Sequence, residues 1–128
     1  MQPGGNANTY FQEFTVTGKD SNPVTVRNVI GILPGSNSEW ADESVIVSAH
    51  YDHLGLGWPD VYKDNEGKVH YGADDNASGV AVLLELAQTL GKTFKPERTV
   101  IFIAFSAEEN GLLGSQYYVK NPGKFPVN

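Results

Sequence analysis

Three short polar clusters interrupt an otherwise apolar framework, and their residue types could do chemistry. The first is His50-Tyr51-Asp52-His53. The second is Gly72-Ala73-Asp74-Asp75-Asn76-Ala77-Ser78-Gly79. The third is Glu108-Glu109, which closes the apolar run Val100 to Phe105. Imidazole and carboxylates without a thiolate suit zinc or another divalent first-row metal. A water activated by such a metal needs a nearby carboxylate as general base. Adjacent glutamates on a strand point to opposite faces, so one could ligate while the other accepts the proton. The plain alternative is a solvated loop rim carrying a few unrelated acids.

The elements around these clusters predict how they could meet. Tyr10 to Thr17 alternates as a strand, Gly18 to Pro23 is a turn, and Val24 to Leu33 is a second strand, giving an antiparallel pair. Pro34 to Asp42 is a polar loop. Ser44 to Ala49 is apolar on both faces, which predicts a central strand covered on both sides. A long loop with four glycines runs from Tyr51 to about Asp74, and loops of this length in a compact domain are often functional. Ala77 to Leu90 is predicted helical with a thin polar stripe of Ser78, Glu85, Gln88 and Thr89. Asp75 or Asn76 fits its start and Gly91 its stop. Val100 to Phe105 is a buried strand, and Leu112 to Val119 starts a second helix. Strand, helix, strand in that order implies a parallel pair with a right-handed crossover. In open α/β sheets, ligands bind outside the carboxyl ends of strands. His50 and the glutamates lie at such ends, and the helix start at Asp75 belongs on the same rim.

Composition narrows the function classes. The chain has 128 residues with 40% apolar content, enough for one domain with a core. Net charge is −6, from 9 basic and 15 acidic residues, with no basic cluster to suggest nucleic acid. There is no cysteine, which excludes disulfides and thiolate metal sites. No apolar run approaches the roughly 20 residues of a membrane-spanning helix. The start, MQPGGNANTY, has no apolar signal core, and residues 1–8 are expected to form a flexible tail.

SAHYDHLG, GADDNASGVAVLLELA and RTVIFIAFSAEENGLLGSQYYV closely resemble the di-zinc aminopeptidases of clan MH. NVIGILPGS, Asn28 to Ser36, resembles the strand and loop before that family's catalytic core. The resemblance covers most of residues 25 to 120 with three motifs in order. It implies an α/β domain with a mixed sheet, an antiparallel N-terminal strand pair and a parallel strand–helix–strand unit: a truncated zinc-exopeptidase fold, residues 1–128 forming a single partial catalytic domain. In that family, zinc-bound water attacks the amide carbonyl after the first residue of a peptide. By resemblance, His50 matches a ligand of one zinc, Asp52 the carboxylate orienting that histidine, Asp75 the carboxylate bridging both ions, Glu109 a ligand of the other zinc, and Glu108 the general base. The Asp75–Asn76 bond is a candidate cis peptide. Asp74 is read as structural, His53 as a loop residue, and Tyr117 and Tyr118 as packing residues. Trp58 and Tyr62 could line a pocket or pack within their loop, and His70 is left unassigned.

The family pattern also needs a further aspartate and histidine well beyond the glutamate pair, and Lys120 to Asn128 holds neither. Each ion would then lack one protein ligand of three, so this chain by itself is expected to bind zinc weakly and to have little or no peptidase activity. The missing later strands imply an exposed sheet edge. Two relatives on the same scaffold, carboxypeptidases and glutaminyl cyclases, share parts of the pattern. A third reading is a non-catalytic binding domain that keeps a relic metal site. The resemblance implies a secreted or periplasmic location.

Overall fold

A computed structural model describes residues 1–40, 42–58 and 61–125. Five strands form one mixed sheet: β1 (Gln2–Pro3), β2 (Phe11–Thr17), β3 (Pro23–Leu33), β4 (Ser44–His50) and β5 (Thr99–Phe105). Among the described residues two α-helices, α1 (Gly79–Thr93) and α2 (Leu113–Lys120), accompany the sheet, with short helical turns between elements. β3 is the backbone of the sheet. It pairs antiparallel with β2 from Phe11↔Val29 to Thr17↔Pro23, and antiparallel with β5 from Val29↔Ala104 to Leu33↔Val100. β4 joins β5 in parallel, from Ser44↔Thr99 to His50↔Phe105. The expected antiparallel pair and the parallel strand–helix–strand unit are both present.

β5 is the central strand because its side chains are apolar in both directions. Ile101 and Ile103 pack with Ile30, Tyr118 and Phe125 on the α2 face. Val100 and Phe102 pack with Leu33, Ala49 and Leu83 on the α1 face. This is the two-sided burial typical of a strand in a parallel unit.

Three sequence-based expectations need correction or restatement. Ser44–Ala49 was expected to be central, yet among the described residues β4 is hydrogen-bonded only to β5 and forms the sheet edge, with Val45 48% exposed. Its apolar residues look alike in sequence whether a neighbour covers them or not. The first helix starts at Gly79 rather than Ala77 and continues through Gly91 to Thr93. Leu90 still bonds onward to Phe94 N–H, so Gly91 does not end it. Before it, Ala73–Ser78 forms a wider π-type turn. Neither expected residue holds the cap position, which is Ser78, but Asn76 reaches the helix start: its Oδ1 accepts the Gly79 N–H at 3.1 Å. Within residues 1–8, the segment expected as a flexible tail, Gln2 and Pro3 pair with β3, opposite Ile32 and Gly31. The final three residues of the Lys120–Asn128 segment, Ala41 of the Pro34–Asp42 loop, and Pro59 and Asp60 of the glycine-bearing loop are outside the described residues.

Candidate metal centre

The parallel register sets the site. His50 ends β4 opposite Phe105, which ends β5, and the Tyr51 N–H still donates to the Phe105 carbonyl at 3.0 Å. The chains that leave the two strands therefore start side by side on the carboxyl rim of the sheet. One carries Asp52 and His53, the other Glu108 and Glu109. The turn before α1 brings Asp75 to the same rim.

The convergence is close. One ligating atom from each of His50, Asp75 and Glu109 lies within 4.8 Å of the others. His50 Nε2 is 2.9 Å from Asp75 Oδ1 and 3.9 Å from Glu108 Oε2. His50 Nδ1 is 3.1 Å from the carbonyl oxygen of Asp52. A carbonyl only accepts, so Nδ1 carries the proton, and Nε2 is the nitrogen turned to the carboxylates. A lone pair on Nε2 beside a carboxylate oxygen is repulsive unless a proton or a cation lies between them. An imidazole and two carboxylates of this kind fit a zinc-type ion by donor chemistry. Asp75 is largely exposed, whereas His50 and Glu109 are mostly buried.

The glutamate turn is held by its backbone. Ala107 sits in the left-handed region at φ 54°, which reverses the chain directly after β5. Gly111 and Leu112 N–H groups both donate to the Glu108 carbonyl, at 2.9 and 2.7 Å. Asp52 closes the turn from the other side. Its Oδ1 accepts the Glu108 N–H at 3.1 Å and its Oδ2 the Glu109 N–H at 3.2 Å. The Asp52 carboxylate is 3.9 Å from His50 Nδ1, beyond hydrogen-bond range, and it is the carbonyl of Asp52 that meets the imidazole. One residue thus orients the histidine with its backbone and the two glutamates with its side chain.

The Asp75–Asn76 peptide is cis. Asp74 is outside the converging group; its carbonyl accepts the Ser78 hydroxyl. His53, expected to be a plain loop residue, has Nδ1 at 2.7 Å from Glu109 Oε1. The available signal was its place three residues beyond His50 in a segment just leaving a strand. His53 in turn rests on Gly72, where an added Cβ would lie 2.7 Å from its ring, and it faces His70 with ring centroids 6.4 Å apart. Trp58 lines an apolar cleft of about 300 Å³ with Val16, Val26, Asp52 and Ala107, and Tyr62 lines a separate cleft with Leu54, Val61 and His70. Tyr117 stacks on Phe14 at 4.8 Å between centroids, and Tyr118 is in the core against Phe105.

Residues 28–127 match peptidase family M28, a span that includes every side chain of the site. The chain belongs to this family. Aminopeptidase YwaD of Bacillus subtilis is 39% identical over 115 residues, covering 90% of this chain and 22% of that protein. A Zn-dependent exopeptidase structure from Parabacteroides distasonis superposes with a TM-score of 0.69 at 30% identity, over 88% of this chain and 41% of that one. The glutaminyl cyclase of Porphyromonas gingivalis gives the same TM-score at 28% identity, over 88% and 40%. The M28 chain described here thus spans about a fifth of the length of YwaD. The fold is shared by exopeptidases and cyclases alike. No helix among the described residues is long and apolar enough to cross a membrane.

Proposed function

We propose that this M28 chain is the front portion of a zinc-dependent aminopeptidase, which removes the N-terminal residue of a peptide. The observation that carries the reading is the convergence of His50, Asp75 and Glu109 within 4.8 Å, with Glu108 directly beside them. His50 and Asp75 would hold one ion, Asp75 and Glu109 a second, and each ion needs one more protein ligand to reach the usual three. Zinc there would polarise the scissile carbonyl and acidify a water. The residues of this chain do the rest. Glu108 is next to the ligand group but outside it, so its carboxylate is free to take a proton from the attacking water and return it to the departing amine. Asp52 fixes the backbone of both glutamates, which would let Glu109 hold the metal while Glu108 remains free as the base. The 128 residues alone are expected to bind zinc weakly and to have little or no peptidase activity. A secreted or periplasmic location for the parent fits the same reading.

Glutaminyl cyclisation is the second reading, favoured by the structural likeness to the Porphyromonas gingivalis enzyme. The full-length protein separates them when given an aminoacyl-nitroanilide and, in parallel, a peptide with N-terminal glutamine. Release of nitroaniline with no pyroglutamate supports the peptidase reading; the opposite result replaces it. Within the peptidase reading, Glu108→Gln should lower turnover by about 10²–10⁴-fold while zinc stays bound. In the 128-residue chain, zinc titration followed by amide NMR should shift resonances around His50, Asp75, Glu108 and Glu109, and Asp75→Ala should abolish those shifts. Shifts that survive in Asp75→Ala would remove Asp75 from the ligand set.

A further inference from the structure

Asn28 is completely buried, 0% exposed, in the layer where β3 faces α2. Ile30 and Ile32 occupy the same face of the strand and are apolar, as that layer demands. An amide there is costly unless its hydrogen bonds are made, and those of Asn28 are. Oδ1 accepts the Ser106 N–H at 3.1 Å. Nδ2 donates to the Gly114 carbonyl at 2.9 Å and to Gln12 Oε1 at 2.9 Å. Only one orientation of the amide satisfies an N–H on one side and two oxygens on the other.

Ser106 and Gly114 are the two ends of the segment that carries Glu108 and Glu109. A single side chain therefore pins both feet of the glutamate turn, while Asp52 pins its crest through the Glu108 and Glu109 N–H groups. Gly114 leaves room for this clamp: a Cβ there would collide with the Ser106 carbonyl and lie 2.6 Å from Asn28 Oδ1. Gln12, itself buried, extends the relay by donating from Nε2 to the Asn121 carbonyl at 2.8 Å. So the end of α2 is anchored to the same pair of amides as its start.

We propose that Asn28 is a positioning residue for the metal centre, acting through the Ser106–Gly114 turn, with Gln12 as its support. The inference rests on the zinc-peptidase reading for what it says of metal binding. For what it says of the turn, it stands on the hydrogen bonds alone. The test compares Asn28→Leu, Gln12→Leu and the packing control Ile30→Val, two residues along the same face. Two quantities are read: amide hydrogen exchange in the metal-free 128-residue chain, and the Kd for zinc alone in the full-length protein. Asn28→Leu should accelerate exchange at Ser106, Glu108 and Glu109 by ~10-fold or more beyond any change at Ile101 and Ile103. It should weaken zinc binding by about 10–100-fold, the usual effect of losing a group that orients a ligand. Gln12→Leu should move both readouts the same way by less, and Ile30→Val should move neither. If exchange at the glutamates changes only in step with the core amides, and zinc affinity matches the control, the proposal is overturned. A wild-type full-length protein that shows no Asp75-dependent zinc binding would sink the metal reading instead, and the exchange arm would still decide the positioning role. Should Asn28→Leu fail to fold, Gln12→Leu decides on the same two readouts.

Discussion

Glycine 72 shows how one small residue connects two of the site's motifs. It sits at φ 61°, in the left-handed region, and its missing side chain leaves space for the His53 ring. His53 holds Glu109 Oε1, so Gly72 acts on a proposed ligand through one intermediate residue. Gly67 offers a comparison, since it too has positive φ, at 82°, but a Cβ there would meet nothing within 4 Å. Gly67→Ala should therefore lose only the backbone cost, about 1–2 kcal/mol. Gly72→Ala should lose more, and should also weaken zinc binding because His53 must move away from Glu109. Urea unfolding of the two variants, with a zinc titration of each, reads both effects. Equal destabilisation with unchanged zinc affinity would remove His53 from the supporting set.

Among the elements, α2 carries the clearest pH dependence, through Tyr118. Burial in the core raises the pKa of its phenol above the ordinary value of 10.0. A raised folded pKa means that stability is fully present below pH 10 and is lost as pH climbs from there through the folded value. Tyr118→Phe keeps the ring and removes the ionisable group, so alkaline unfolding curves of the variant should lack this loss. A variant that loses stability above pH 10 as steeply as wild type would show that another group drives it. The same elements show what could be read from sequence. β2, β3, β5 and the parallel unit were legible because alternation and uninterrupted apolar runs report strand type directly. The three site clusters stood out in the sequence because each follows an apolar strand or opens the apolar helix. The edge position of β4 was not, since coverage by a neighbour leaves no mark on the strand's own residues. The work of Asn28 and Gln12 was hidden for a related reason. An amide inside a strand pattern reads as an outward polar position until the segments it bonds, far away in sequence, are folded against it. The split role of Asp52 likewise depends on which of its oxygens faces the imidazole, a matter of tenths of an ångström rather than residue type.

At the scale of the whole molecule, the sheet and α1 leave apolar surface uncovered. β4 has a free edge among the described residues, with Val45 and Ile46 both exposed. α1 was expected to show only a thin polar stripe, yet of its residues Leu83 alone is buried, so the surface it leaves open is broad and partly apolar. Leu83 is buried against the sheet, while Val82 at 60% and Leu84 at 63% face outward. A free strand edge beside an apolar helix face is an association-prone surface. A net charge of −6 opposes self-association only weakly at physiological ionic strength, where the screening length is about 8 Å. The 128-residue chain should therefore associate with rising concentration, more strongly in salt, in sedimentation-velocity runs. Val45→Lys combined with Leu84→Glu places a charge on each uncovered surface without touching the buried layers, and should return the chain to a monomer with its thermal stability nearly unchanged. The same substitutions lie away from His50, Asp75 and the glutamate turn, so zinc affinity should not follow the change in association. A wild-type chain that stays monomeric at high concentration and salt would mean that these surfaces are too small or too strongly twisted to pair.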